Sequence, residues 1–460
     1  MAKKCRRWGA LLLVLAMLGG ICACQSKPEA AEDVKATGSS EPAKSGGEDA
    51  DKGEKIPLSV EFFVTEDNML DIAQYIEEVL PEQYPDYEVK FEITQGDAQT
   101  VETKIRTALA SGSNSVDVWW CHGGTWATPL INGNYVLKMN DYLEASGFYE
   151  DMVLQVASFV KEQENVYAIP FEPTSYWVNM YNKKAFEEAG IKEVPKTLDE
   201  FMTALEALKN AGYTPIVTGA KDQWMALDFM ETLAYTVSPE DSFKAVNGEL
   251  KFADSEAWRK AAEVTREMLD KGYFPENIGL MDRTEADALF ATEKAAIISE
   301  TSSTLTSVCQ QFGENAGLMY YPMVNAADVA DYGINISGGQ KTNCGFMVNA
   351  ATKNPDAAVD LAIGLSKLRN QYEYTVLGNV AVPFDAQKLG WELPEEPAPA
   401  IAQFAEDMKK FKYSKNFLQD IMPTSTGTTL SMEAASKFFT NPDYSVDEFL
   451  TDLDKAVAAE

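Results

Sequence analysis

The sequence predicts a two-lobed α/β protein that follows an export segment and a polar tether. Strand-like and helix-like hydrophobic periods alternate from Ile56 to the C-terminus. About four hundred residues follow the tether, enough for two domains by the usual size relation. Aromatic and aliphatic side chains are plentiful there, so more than one core can be filled.

The first residues read as a secretion signal. Lys3, Lys4, Arg6 and Arg7 form a positive start, and Ala10 to Gly20 form an apolar core too short to span a bilayer. Ile21-Cys22-Ala23-Cys24 then fits a bacterial lipobox, in which cleavage before Cys24 leaves its thiol to carry diacylglycerol. Cys22 competes for that role, but Ile21 before it is a poor fit to the small-residue requirement; an ordinary signal with incidental cysteines is the alternative. Residues 1–23 are thus assigned as signal and 24–55 as tether. From residue 25 to 55, Val34 is the sole large aliphatic side chain and no aromatic occurs, too little apolar surface to offset ordering entropy. A flexible segment of this length reaches roughly 30 Å.

From Ile56 each element follows from its period. Leu58 to Val64 alternates as a strand, with Leu58, Val60 and Phe62 on one face. Asp71 to Leu80 reads as a helix and Val89 to Ile93 as a second strand. Val101, Ile105 and Leu109 recur every four residues, a helix stripe, and Val116 to Trp120 is a third strand. This order predicts a mainly parallel sheet with helices on its faces, and a ligand site beyond the strands' carboxyl ends. Those ends are Thr65-Glu66-Asp67-Asn68 and Cys121 to Thr125. Further on, Thr197-Leu198-Asp199-Glu200 is a capping box that opens a helix with Leu198, Phe201, Leu205 and Leu208 on its buried face, closed by Gly212. Trp258, Ala262, Thr265 and Leu269 form another face, closed by Gly272. Ala357 to Leu368 and Val446 to Val457 are the last amphipathic helices.

Charge and motif content narrow the function. The net charge is −32, and removing residues 1–23, with four basic and no acidic residues, takes it to −36. So acidic a chain is unsuited to nucleic acid, to direct adhesion to anionic lipid, and to a strongly anionic ligand. Cys121, Cys309 and Cys344 remain beside Cys24, scattered and odd in number with it set aside, so buried thiols are expected rather than a disulfide framework. The single histidine, His122, follows Cys121, but neighbours on a strand face opposite ways and no second histidine completes a zinc set. Ser158-x-x-Lys161 lacks the companion motifs of a penicillin-binding site. No phosphate loop, nucleophile elbow or His-Glu-x-x-His occurs, and neither cofactor nor metal is expected. A pair of acids of the glycosidase kind stays open as an alternative.

Several stretches in order resemble the family 1 extracellular solute-binding proteins, the maltose-binding-protein-like lipoproteins of carbohydrate ABC importers. They are Val166-Tyr-Ala-Ile-Pro170, Tyr181-Asn-Lys-Lys-Ala-Phe-Glu-Glu-Ala-Gly190, Val194-Pro-Lys-Thr-Leu-Asp-Glu-Phe201 and Phe290 to Ile298, where Glu293 stands at a usual glycine. Gly345-Phe-Met-Val-Asn349, Lys353-Asn354-Pro355, Gly378 to Pro383 and Ser445 to Ala456 continue the set. The resemblance implies a type II periplasmic-binding-protein-like fold, each lobe a mainly parallel sheet flanked by helices, with the ligand cleft between. It assigns 56–168 and 284–340 to the N-terminal lobe, 169–283 and 341–460 to the C-terminal lobe, and hinges near 168–171 and 338–345. The implied function is ligand capture by hinge closure and delivery to permease subunits, without catalysis, by a monomer held at the outer face of the membrane by its lipid alone.

A sugar offers hydroxyl edges and an apolar C–H face, so its site needs aromatic platforms rimmed by carboxylates, amides and guanidinium groups. The candidates are Glu66 and Asp67 after the first strand, Trp119, Trp120 and Trp126 around the third, and Glu172 and Tyr176 past the crossover. Trp224 in its polar loop, and Glu300 with the serines and threonines beside it, complete the set. Trp119 and Trp120 alternate in direction, so one of them faces the cleft. Pro423 to Leu430 lacks the aromatic the family often has there, which points to a shorter or unusual ligand. Another solute such as a polyamine, peptide or osmolyte, a ligand-sensing subunit, and a surface glycosidase are the alternatives.

Overall fold

A computed structural model describes residues 54–64, 67–96, 98–111, 116–411 and 413–459. The proposed signal, most of the tether, Cys24 and Glu66 lie outside the described residues. The strands are β1 (Ile56–Val64), β2 (Tyr87–Gln95), β3 (Val118–Cys121), β4 (Ile169–Pro170), β5 (Ser175–Asn182), β6 (Thr214–Val217), β7 (Ala295–Thr301), β8 (Ala316–Met319), β9 (Asn335–Gly339), β10 (Gly345–Val348) and β11 (Tyr413–Lys415). They form two sheets, β2-β1-β3-β10-β4 and β11-β9-β5-β7-β6, with β8 also on β5.

In the first lobe the alternation works as expected. Val60 and Phe62 face one side of the sheet, and the helix Asp67–Gln83 buries Met69, Ile72, Ala73, Ile76 and Leu80 at helical spacing. The stripe Val101, Ile105 and Leu109 is buried on the helix Ala98–Ala110. Glu61 points to that helix's side and is 5% exposed. Lys104 compensates its charge, with Nζ 2.5 Å from Glu61 Oε1.

The second lobe is built around a helix buried on every side, Gln223–Tyr235, whose residues from Met225 onward are all buried. Around it pack the helices Glu256–Asp270 and Ser425–Thr440. The capping box at Thr197 is formed, with Glu200 N–H donating to Thr197 Oγ1 at 3.4 Å and Thr197 N–H to Glu200 Oε2 at 3.1 Å. Gly212 and Gly272 follow their helices in the left-handed conformation, as a closing residue requires.

Two expectations are corrected. Both sheets are mixed: β1 pairs in parallel with β2 and β3, but β10 runs antiparallel to β3 and β4, and β5 antiparallel to β7, β8 and β9. The assignment of residues 284–340 and 341–391 is also reversed, whereas residues 398–459 lie with the second sheet and its cores. Residues 284–340, expected in the N-terminal lobe, supply β7, β8 and β9 to the second sheet. Conversely, β10 inserts between β3 and β4, and the helix Pro355–Thr375 buries Ala358, Leu361, Ala362 and Leu365 in the first core. Strand pairing decides this, because Gly345 to Val348 exchange backbone hydrogen bonds with Cys121 to Val118. The chain thus crosses between sheets at 171–174 and 340–344, and a third time between Trp391 and Ala398.

Two backbone positions stand out. Gly345 has φ 147°, and a Cβ there would lie 1.8 Å from the Ile169 carbonyl oxygen, so the second crossing admits glycine alone. Glu293, at the family's usual glycine, has φ 60° and so occupies the left-handed region with a side chain.

Candidate functional site

Between the lobes lies a cavity of about 990 Å³. The first lobe and its crossings contribute His122, Glu172, Lys341, Arg369 and Glu373. The second contributes Trp224, Asp228, Arg283, Phe417, Gln419, Asp420 and the hydroxyl-rich run from Thr301 to Ser307.

Trp224 and Asp228 stand one turn apart on the buried helix Gln223–Tyr235, so the aromatic ring and the carboxyl enter the cavity on the same helix face. Trp177 backs the ring edge-on, its centroid 6.1 Å away at 87°, and meets Phe417 the same way at 6.4 Å. The Trp177 indole is fixed in turn, its N–H shared between Ser299 Oγ at 2.9 Å and the Tyr321 hydroxyl at 3.1 Å. Two cavity aromatics therefore rest on one immobile ring.

The acids on the buried helix need partners, and the segment after β11 supplies them. Gln419 Nε2 donates to Asp228 Oδ2 at 3.1 Å, and the Leu418 N–H donates to Glu231 Oε2 at 2.8 Å. Burial pushes the Glu231 carboxyl up to about 8, against the opposing Leu418 bond. Burial, and then Glu231 nearby, hold Asp228 well above the usual carboxylate range. Asp420 is also raised by burial, against the pull of Lys341. Lys341 is raised by Asp420 first and by Glu172 and Asp228 after it, against burial. At Glu172 burial acts upward, but Lys341, Arg369 and His122 outweigh it and hold the carboxyl below its usual range. Burial lowers His122, so its imidazole is the more readily neutral.

Several polar atoms on this cavity's side chains are buried with no hydrogen-bond partner among the described residues. They are Asp228 Oδ1, Asp420 Oδ2 and Gln419 Oε1 as acceptors, and Arg369 Nε and Nη1 as donors. That same Nη1 is ion-paired with Glu373 Oε1 at 3.4 Å without making a hydrogen bond, and the guanidinium stacks 4.1 Å over Phe171. The arrangement presents acceptors from the second lobe, donors from the first, and a flat ring beside them. Among the described residues no His, Cys, Asp and Glu group is placed to hold a metal ion.

The structure brings together two of the sequence candidates, Glu172 and Trp224, in this cavity. Glu300 is fully buried behind it and reaches it through Arg283, whose guanidinium is 2.5 Å away. Burial, with Arg283 opposing and Asp287 adding, pushes Glu300 up to about 8. Tyr176 is elsewhere, packed edge-on against Phe404 and Phe411 at 6.0 and 4.9 Å. Trp119 and Trp120 are 1% and 2% exposed and belong to the first core. Trp120 packs on Phe171 and His122 at 5.2 and 4.1 Å, while Trp119 and Trp126 line a separate small cavity with Glu102. Asp67 opens the helix Asp67–Gln83, and its side chain is outside the described set. Sequence reasoning missed Asp228, Arg369 and the Gln419-Asp420 pair. The four-residue spacing from Trp224 to Asp228 was the available signal for the first of these.

Two α/β lobes of discontinuous sequence around an interlobe cavity define a solute-binding protein by architecture. The family model described as "Bacterial extracellular solute-binding protein" matches residues 66–362, and the chain belongs to that family. An uncharacterized ABC transporter extracellular-binding protein of Pyrococcus horikoshii is 25% identical over 176 residues, 37% of this chain. The multiple sugar-binding protein of Streptococcus mutans is 26% identical over 162 residues, 34% of this chain. These matches span 39% and 38% of the two relatives' own lengths. Among solved structures, a chitin oligosaccharide binding protein superimposes with a TM-score of 0.71 at 21% identity, over 88% of this chain and all of the other. A maltose-bound protein of T. maritima gives 0.66 at 15% identity, over 88% and 99%. At these identities the structural likeness speaks to the fold.

Proposed function

We propose that this chain is the substrate-binding subunit of an ABC importer, anchored by lipid on Cys24 at the outer face of the membrane, and that it captures a carbohydrate by closure of its lobes. The observation that carries the ligand class is the pair Trp224 and Asp228, an aromatic platform and a carboxyl on consecutive turns of one helix, within a cavity rimmed by unpartnered acceptors and donors. A pyranose satisfies both: its C–H face stacks on the ring, and each hydroxyl both donates and accepts. The names of the multiple sugar-binding relative and of the chitin-oligosaccharide and maltose-bound neighbours agree with that class. Donors on the first lobe and acceptors on the second give a bridging ligand more contacts in a closed state than in an open one, which is what shifts such an equilibrium.

The test is a thermal-shift screen of residues 56–460 against mono- and oligosaccharides, polyamines and peptides, since a ligand of the native state alone raises Tm. A sugar response abolished in a folded Trp224→Ala variant is expected. Silence from all sugars would sink the carbohydrate reading. One observation favours a second reading: Glu172, Asp228, Glu373 and Asp420 all line the cavity, and acids beside an aromatic ring also suit an organic cation. A polyamine response without a sugar response would select it.

A further inference from the structure

The first lobe has a small cavity of its own, which meets the ligand cavity at one residue. It lies where β1 and β3 part. The two strands pair at Val60–Val118 and Glu61–Trp119, and past these pairs Phe63 and the run Trp119 to His122 line the gap. The helix Ala98–Ala110 closes it with Glu102, and the helix Gly124–Asn132 with Trp126 and Leu130. The space is about 10 Å³, close to the least that admits one water.

Its walls are mostly apolar, yet three polar atoms of its lining side chains are buried without a hydrogen-bond partner among the described residues. They are Glu102 Oε1, Trp119 Nε1 and Trp120 Nε1. Both indoles are almost fully buried, a setting in which the N–H ordinarily finds a partner because leaving it unmatched is costly. Phe63 and Phe171 pack on the Trp120 ring at 6.3 and 5.2 Å but offer its N–H nothing. An indole N–H only donates, so each of the two calls for an acceptor. The Glu102 carboxyl already has Oε2 3.5 Å from Arg106 Nη2, which leaves Oε1 for the cavity. A metal or ammonium ion accepts nothing and fails both indoles. Water accepts and donates, so it answers the indoles and turns to suit the carboxyl.

His122 lines both this cavity and the ligand cavity. Trp120 packs edge-on against its imidazole, 4.1 Å away at 67°. Whatever fixes Trp120 therefore fixes that part of the ligand cavity's wall, as a layer of support behind a site must. We infer that the first-lobe cavity is the site of one bound water, which bridges Glu102 Oε1 to the indole N–H groups of Trp119 and Trp120 and so sets His122 at the ligand cavity. Glu102 is thereby a positioning residue: it acts through the water, Trp120 and His122, whatever solute the lobes enclose.

The test uses residues 56–460, which hold both sheets, as the parent and as Glu102→Gln and Glu102→Leu. Glutamine keeps an acceptor oxygen in place. Leucine removes it and puts an apolar branch where only one small molecule fits. Crystals of the parent and of Glu102→Gln should show one density peak within about 3.2 Å of Oε1 at residue 102 and of both indole nitrogens. The peak should be lost in Glu102→Leu. His122 is the chain's single histidine, so its imidazole resonance is identified at once. Burial, joined by Lys341 and opposed by Glu172, holds its titration midpoint below the ordinary 6.5. In Glu102→Leu the midpoint should rise toward 6.5 as the ring loosens, and in Glu102→Gln it should stay with the parent. A parent without the peak, or a peak that bromide soaking replaces, overturns the water site. A midpoint unmoved in Glu102→Leu overturns the positioning role. Equal movement in both variants overturns it too, because charge at residue 102 would then be the cause.

Discussion

At Asp228 one carboxyl serves two purposes. Its Oδ2 accepts from Gln419, which holds the segment after β11 against the buried helix, while Oδ1 is left for the cavity. Asp228→Asn keeps the shape but turns an acceptor into a donor on one side. Ligand affinity should fall severalfold, in line with about 0.5–1.5 kcal/mol for a hydrogen bond between neutral groups, since burial favours the neutral carboxyl. Calorimetry on the responding ligand checks this, and an unchanged affinity would remove Asp228 from the site. Glu293 invites the opposite kind of change. Its left-handed backbone costs about 1–2 kcal/mol relative to a residue that adopts it freely. Its 3.3 Å pair with Lys184 is exposed on both sides and contributes little. Glu293→Gly should therefore raise stability by about 0.5–1 kcal/mol in urea titration. A loss of stability would show that the ion pair outweighs the backbone strain.

At the scale of elements, local signals were the legible ones. The Thr197 box, the stripes at Val101 and Leu198, and the last helix at Ser445 are all set by neighbours within a few residues, and each forms where its sequence says. Thr197→Ala should cost about 1 kcal/mol, the usual worth of an N-cap, measured by the shift in urea midpoint at constant slope. Which strand joins which sheet was not legible, because β10 reads as a short apolar strand that either lobe could accommodate. Its partners lie far away in sequence; Asn349 Nδ2, for example, donates to the Val116 carbonyl 233 residues earlier. The site divided in the same way. Trp224 betrayed itself by sitting in a polar stretch, whereas Trp119 and Trp120 looked alike on their strand and both proved to be core. Arg369 was hidden inside a helix whose burial pattern carried only a packing message. Gly345→Ala tests the crossing at this scale: with 1.8 Å to a carbonyl oxygen, about 3 kcal/mol or more should be lost, the upper range for overpacking.

For the whole molecule, titration links the site to stability. Glu231 moves from its ordinary 4.5 to about 8 through burial, and burial moves Glu102 likewise to about 8. Between those values the folded chain binds more protons than the unfolded one, so stability falls as pH rises through this window. The net charge of −32 acts in the same direction, since self-repulsion grows as carboxyls ionise. The ligand-free protein should melt several degrees higher at pH 5.5 than at pH 8.5. Glu231→Gln should flatten part of that slope, and an identical slope in the variant would place the pH dependence elsewhere.

The return of β10 to the first sheet bears on the order in which the chain can fold during synthesis. A nascent chain that has emerged to residue 340 holds β3 and β4 but not the strand that belongs between them. The second lobe, begun at β5, waits longer still, for Leu418 to reach Glu231 and for the last helix to cover Phe252 and Trp258. Neither half can close early, and pairings across so much sequence are slow in any case. For a polypeptide read as crossing a membrane before it matures, that delay keeps it threadable, and completion of the fold is deferred to the side on which it works.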